Sequence, residues 1–318
     1  MSTSRIDNLR MVDPVLSTLV QGYSNGAMVA DLLFPVVQVS KLKGKIPVFG
    51  REAFVVRDTF RAIRADSNRI PPADVQLISF ETKERDIEIA VDYIEEEETP
   101  EFLRYEQRLS KELMDILLLG REKEIADLVQ NTANFASDMR IALTSDTAFN
   151  NYTGLSDPVA IIREGAAAVR NKISKYPNTM IIGDASYQAL LQHPKILERI
   201  KYAGISKVTT DILAQLLDIP DIHVGLGVYS NDGVNFSDVW SDNVVLAYVD
   251  KSSTDVRSEF NPGFGYTLQR EGNPQVDSYY ENGGKIKVIR CTNNYGVQIT
   301  CQDAAYLISG TNDENLIQ

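Results

Sequence analysis

The sequence predicts an α+β protein, and three patterns along the chain carry that expectation. Ile87, Ile89, Val91 and Tyr93 alternate with Glu88, Ala90 and Asp92, the period of a strand buried on one face. Phe102, Tyr105, Leu109, Leu113, Ile116 and Leu117 then recur at three-and-four spacing, and the pattern lasts to Leu128, as in a long amphipathic helix. From about residue 175 short apolar runs alternate with helical stretches, the texture of an α/β unit.

The elements follow in chain order. Asp13-Pro14 is a helix start, an N-cap followed by proline at the first helical position. Leu16, Leu19 and Val20 give that helix one apolar face. A second stripe, Met28, Val29, Leu32 and Leu33, is stopped by Pro35. Helices this short do not hold alone, so they lie on the protein's own core or, as an arm, across a neighbour. Residues 36–93 read as β, interrupted by a polar section at 61–72 that ends in Pro71-Pro72. That is a long two-stranded excursion, and a lone two-stranded ribbon needs an outside surface. Its charge is polarised. Residues 41–69 hold eight Lys and Arg against three acids, net +5, and residues 70–98 hold two against ten, net −8. Either the two strands pair within one subunit, or a basic tip docks on an acidic base of the next.

Thr99 caps the long helix, Pro100 takes its first turn, and Glu95, Glu96, Glu97 and Glu98 put negative charge at the positive end of its dipole. Over about residues 99–130 it spans roughly 45 Å. Arg104, Gln107, Arg108 and Lys111 keep one side wet and no heptad persists, so it serves as a scaffold for other elements. After a polar loop at 131–156, Asp157-Pro158 starts a helix striped by Ile161, Ile162, Ala168, Val169 and Ile173. A strand at 179–182 ends at Gly183, and a helix from Asp184 is broken by Pro194. A helix at 211–217, strands at 223–229 and 244–249, and a last apolar run at 304–308 complete the pattern. Strands at 285–291 and 297–301 read as a hairpin turning near 293–296.

At 318 residues and 43% hydrophobic, the chain buries a sizeable core, expected in two linked domains. No apolar run approaches bilayer length, and residues 1–10 lack the apolar stretch of a secretion signal, so a cytoplasmic origin is expected. Cys291 and Cys301, unequally placed about the expected turn, read as free thiols. A net charge of −12 excludes a free sequence-reading DNA binder, whose affinity comes from neutralising phosphates. The chain has two histidines, His193 beside a helix break and His223 in a strand, and both read as structural. It holds no HExxH, no zinc-spaced Cys/His cluster, no P-loop and no GxSxG. Gly263 and Gly265 lack the third glycine of a nucleotide loop, and Gly225 and Gly227, inside a strand pattern, indicate close backbone approach or a bulge. No catalytic, cofactor-binding or metal site is expected, and no enzyme.

Residues 25–39 (NGAMVADLLFPVVQV) run into 45–49 (KIPVF), and with 80–91 (FETKERDIEIAV) and 177–183 (PNTMIIG) they follow one another in a distinctive order. That order resembles the major capsid proteins of tailed bacteriophages, the Hong Kong 97-type fold, to which encapsulins are similar. The resemblance implies an N-terminal arm at 1–40, an extended β-loop at 41–92 and a peripheral domain at 93–174 with its spine helix. An axial α/β domain at 175–284 and strands at 285–318 returning to the peripheral domain complete it. It further implies a virion subunit, made in the host cytoplasm, that self-assembles as pentamers and hexamers into an icosahedral shell enclosing double-stranded DNA. A portal protein, a separate scaffolding protein and a decoration protein are the other expected partners, with no membrane and no cofactor. Candidate inter-subunit contacts are Arg57, Arg61, Arg64 and Arg69 in the loop, Glu95 to Glu98 at the helix start, and Leu32, Leu33 and Phe34 in the arm. No lysine–asparagine crosslink is expected. An encapsulin-like compartment and an α/β enzyme with an unrecognised site are the alternatives.

Overall fold

In the computed structural model, residues 11–47, 56, 59–61, 63, 66–68, 77–98, 102–153, 155–201, 208–252 and 261–313 are described. After β1 (Met11–Val12), the Asp13 carboxylate accepts from the N–H groups of Val15 and Leu16 at 2.8 and 2.9 Å and starts α1 (Pro14–Gln21). The second stripe makes α2 (Ala30–Leu33), which ends before Pro35 and leads into β2 (Val36–Val39). The excursion begins with β3 (Lys43–Pro47) and returns through β4 (Leu77–Glu81) and β5 (Lys83–Asp92), whose side chains alternate outward and inward as the sequence requires. A short helix α3 (Tyr93–Glu98) precedes the spine α4 (Phe102–Gln130), 29 residues or about 43 Å long. Thr99 and Pro100 lie outside the described residues.

The α/β portion comprises β6 (Arg140–Ala142), α5 (Pro158–Ile173), β7 (Thr179–Gly183), α6 (Asp184–Gln192), α7 (Pro194–Lys201), α8 (Thr210–Leu217) and β8 (Asp221–Gly225). A small hairpin of β9 (Val228–Tyr229) and β10 (Ser237–Asp238) comes before β11 (Asn243–Ala247). The chain then forms β12 (Gly265–Arg270), β13 (Gln275–Glu281), β14 (Ile286–Ile299) and β15 (Ala305–Ser309).

Two sheets organise these elements. The five-stranded sheet has order β6-β15-β11-β7-β8. Its central strands are buried on both faces by simple alternation. Met180, Ile182, Val244 and Leu246 face one core with α5, α6 and α8, while Ile181, Val245 and Ala247 face another with α2 and the end of α4. The six-stranded sheet has order β1-β13-β14-β12-β2, with β5 also on β14. Against it α4 lays Leu109, Leu113, Met114, Leu117 and Leu118 on Val91, Val276 and Ile289.

Several expectations are corrected. The expected hairpin at 293–296 is absent: β14 runs straight through, because β5 and β13 pair with its first part and β12 with its second. Strands β12 and β13 were not anticipated at all. The strand at 223–229 breaks at Leu226-Gly227 into β8 and β9. Helix α5 and β15 pack with the five-stranded sheet rather than with the spine's sheet, since Ala305, Tyr306, Leu307 and Ile308 are buried between β11 and β6. Conversely β12 and β13, inside the expected axial stretch, pair with β14. Both cysteines are buried and neither is in a disulfide. No described helix is long and apolar enough to cross a membrane.

Candidate functional site

With no catalytic constellation expected, the functional surface of the chain is sought in the extended loop, the acidic helix start and the arm. The loop's foot is built by register. Lys43 stands opposite Glu81, and Lys43 Nζ lies 2.7 Å from Glu81 Oε1, which holds that carboxyl below its usual range. Opposite charges therefore do pair inside one subunit at the foot, although both side chains stay exposed and such a pair adds little stability. Farther out, Arg61 is exposed, as are Val56, Phe60 and Ile63 at 97, 80 and 94%. Arg57, Arg64 and Arg69 lie outside the described residues.

The loop's root is tied to the spine. Arg85 on β5 donates to the Tyr295 carbonyl at 2.8 Å and to both Glu124 oxygens at 2.8 and 2.7 Å. Its guanidinium also lies 3.9 Å from the centre of the Tyr295 ring. Glu95, Glu97 and Glu98 are exposed on α3, at the other end of β5, and Glu96 is half-buried, so the acidic patch faces outward.

The arm packs on its own chain. Leu33 and Phe34 are fully buried in the subunit's own core, where Phe34 meets the Phe264 ring edge-on at 5.3 Å. Leu16 and Val20 are likewise buried, against α4 and the six-stranded sheet. Residues 13–34 thus pack on their own chain because their apolar stripes fit it, and of the three arm candidates Leu32 alone is exposed.

One arrangement escaped the sequence reading. Glu122, on the buried side of α4 between Leu118 and Ile125, accepts from the N–H groups of Val29 at 3.0 Å, Ala30 at 2.8 Å and Trp240 Nε1 at 2.6 Å. Beside it Arg121 forms an ion pair with Asp31. Acidic and basic residues at apolar positions of the helical period were the available signal. Gly225 packs on the same tryptophan, and a Cβ there would stand 2.2 Å from Trp240 Cδ1, which explains the glycine in a strand. Both histidines are pushed below their ordinary pKa chiefly by burial. Among the described residues no group of His, Cys, Asp or Glu could hold a metal ion.

No family model matches the chain. The major capsid protein of Burkholderia phage BcepMu is 40% identical over 309 residues, spanning 97% of this chain and 99% of the relative. The crystal structure of a phage-related protein from Bordetella bronchiseptica RB50 superposes with a TM-score of 0.80 at 29% identity, over 95% of this chain and 98% of that one. The capsid structure of cyanophage P-SCSP1u gives 0.57 at 12% identity over 92 and 90% of the two chains, a likeness of fold. An α+β fold with a loop rooted on a long spine helix, joined to that identity across nearly the whole length, places the chain in its family: it belongs to the major capsid proteins of bacteriophages.

Proposed function

We propose that the chain is the head subunit of an icosahedral phage shell, forming pentamers and hexamers around double-stranded DNA and catalysing nothing. The observation that carries this reading is the extended loop. Its two-stranded foot, β3 and β4, pairs as a sheet of its own, packs through Ile46, Ile78 and Phe80 on Val37, Val39, Tyr266 and Leu268, and leads to exposed apolar and basic residues. The exposed side chains beyond the foot, Val56, Phe60 and Ile63, would be covered by lying on another subunit. A net charge of −12 fits a wall that encloses DNA without gripping it. Portal, scaffolding and decoration proteins are the further partners this role implies, with synthesis in the host cytoplasm. The encapsulin-like alternative has less behind it, because the 40% identity runs to a phage capsid protein.

The basic part of the loop, Arg57, Arg61, Arg64 and Arg69, lies in this reading on the acidic surface of an adjacent subunit, with Glu95 to Glu98 as its first counterpart. A single exposed pair contributes about 0.2–1 kcal/mol and is screened by salt, so one reversal does little. Reversing Arg57, Arg61 and Arg64 together sets like charges against each other at every copy of the contact. Electron microscopy should then show no closed particles at low salt, and partial recovery when Glu95 to Glu98 are changed to Lys in the same chain. Normal particles from the triple reversal alone would overturn the docking.

A further inference from the structure

Two exposed patches of opposite charge lie at opposite ends of the five-stranded sheet. The first is the hairpin of β9 and β10. Its turn is braced by Asp232, whose Oδ1 accepts from the N–H groups of Val234 and Asn235 at 2.9 and 2.8 Å and from Ser230 Oγ at 3.0 Å. Gln130 of the spine fixes its base by donating to the Val239 carbonyl at 2.8 Å. Tyr229 turns toward the spine, with Lys123 Nζ 4.6 Å from its ring centre, so strand alternation sends Val228 and Phe236 to the opposite face. Val234 and Phe236 are 77 and 68% exposed. A turn held in one shape around an exposed aromatic is a preorganised contact.

The second patch is the turn from α5 into β7, where Tyr176 is 61% exposed. Residues 165–183 hold Arg170, Lys172 and Lys175 with no acid, whereas residues 226–242 hold Asp232, Asp238 and Asp242 with no Lys or Arg. Lys172 is taken by Asp138. Arg170 and Lys175 are exposed, and among the described residues neither pairs with a carboxylate. Lys175 is nevertheless held, since its Nζ donates to Tyr248 Oη at 3.0 Å and lies 4.5 Å from that ring's centre. Strands β7 and β8 run parallel from Thr179 beside Asp221 to Gly183 beside Gly225. The basic turn enters at one end of them and the acidic hairpin leaves at the other, about 17 Å away, so the two patches of one subunit do not meet.

We infer that the hairpin of one subunit packs on the α5–β7 turn of the next, with Phe236 against Tyr176 and Asp238 facing Arg170 and Lys175. Each patch carries an exposed aromatic amid charge of one sign, and the signs are opposite. The aromatic pair supplies affinity, and the charges supply register and partner choice. A contact between two unlike patches is heterologous: it repeats head to tail and closes as a ring when the rotation allows. Like patches facing across a two-fold would instead set acid against acid or base against base. The inference rests on the reading of the chain as a subunit of pentamers and hexamers, and it names the surfaces that join each ring.

Full-length variants test it beside the parent chain. In Phe236→Cys/Tyr176→Cys, oxidation of assembled particles should give ladders on non-reducing gels that end at pentamers and hexamers, with the buried native Cys291 and Cys301 unlinked in the parent. No crosslink overturns the inference, and so does a ladder that stops at dimers, since the contact then relates two subunits and not a ring. Should the cysteine variant fail to assemble, two serine variants decide. Val234→Ser/Phe236→Ser and, separately, Lys175→Ser/Tyr176→Ser should each keep the parent's circular dichroism and melting profile and lose closed particles. Normal particles from either overturn the contact. A parent chain that forms no closed particles would instead fail the shell reading itself, so the two failures are told apart.

Discussion

Trp240 Nε1 donates to Glu122 Oε1 at 2.6 Å, and this bond fixes the spine helix to the edge of the five-stranded sheet. The same carboxylate takes the N–H groups of Val29 and Ala30 at the start of α2, so one side chain joins three segments distant in sequence. Glu122→Leu fills similar space and strips every acceptor. Each buried donor left without a partner costs about 1–3 kcal/mol, so this variant should lose several kcal/mol in urea unfolding of the subunit. Glu122→Gln keeps one acceptor oxygen and should lose less. Equal losses would show that the charge, and not the acceptors, holds the junction.

The same residue sets a pH dependence. Burial is the largest influence on Glu122 and raises its pKa above the ordinary 4.5, while the Trp240, Ala30 and Val29 donors pull it down. The folded state therefore binds the proton more tightly than the unfolded state. Its contribution is complete below about pH 4.5 and is lost as pH rises through the folded value. Glutamine does not titrate, so the deficit of Glu122→Gln relative to the parent should shrink between about pH 4 and about pH 7. A deficit constant across that range would refute a raised carboxyl.

The arm offers a simpler test. Leu33 is fully buried with Phe34, Phe264 and Val245 in one core, so Leu33→Ala should cost about 2–5 kcal/mol. Deleting residues 1–35 removes Leu16, Val20, Leu33 and Phe34 together and should give aggregated chain rather than a soluble subunit. A soluble, cooperatively melting truncation would restore the arm to a role on a neighbour.

Much of the fold was legible because its signals are local. Asp13-Pro14 and Asp157-Pro158 begin helices in the structure as in the sequence, and Ala160 N–H finds Asp157 Oδ1 at 3.1 Å. The capsid architecture was legible from the order of such elements. What failed depends on partners far along the chain. Asn293-Asn294-Tyr295-Gly296 has the composition of a turn, yet Asn293 Oδ1 takes the amide of Gln269 at 2.8 Å within a continuous strand. Leu33 reads equally well as core or contact until the sheet beneath it is known. Glu122 looks like one acid among many until Trp240 arrives 118 positions later. The loop arginines gave a charge pattern, and Glu95 to Glu98 an opposite one, but charge alone does not say which surfaces meet.

His193 gives a second titration of opposite sign. It is buried at the break between α6 and α7, where Nδ1 accepts from Lys195 N–H at 3.3 Å and the ring meets Tyr152 edge-on at 6.0 Å. Burial first, and Lys195 second, lower its pKa below the ordinary 6.5. The neutral ring is favoured in the folded state, so its contribution is complete above about pH 6.5 and is lost as pH falls through the folded value. His193→Asn keeps an acceptor for Lys195 and cannot charge. Melting temperatures of the parent should fall more steeply than those of the variant between about pH 6.5 and about pH 5, and parallel curves would remove His193 from the acid response.

Gly296 is where the misread turn becomes a measurement. If glycine stood there for a reversal of the chain, alanine would be tolerated once the strand is straight. In the structure a Cβ at this position would lie 2.4 Å from the Glu81 carbonyl oxygen and 3.2 Å from its carbon, where β4 passes into β5. Both atoms are backbone, so no side-chain rotation relieves the contact, and either β14 or the root of the extended loop must move. Overpacking of this kind costs about 1–3 kcal/mol, and more when the backbone cannot yield. Gly296→Ala should therefore lower the unfolding free energy by at least that amount. Gly26→Ala, with no atom within 4 Å of its Cβ, should stay within about 0.5 kcal/mol of the parent. Because Thr82 N–H, next to the clash, donates to the Leu42 carbonyl at 2.8 Å, the displaced root would also loosen the loop's foot. Amide exchange at Thr82 should then quicken in Gly296→Ala, and unchanged exchange with unchanged stability would mean that the close approach does not constrain the strand.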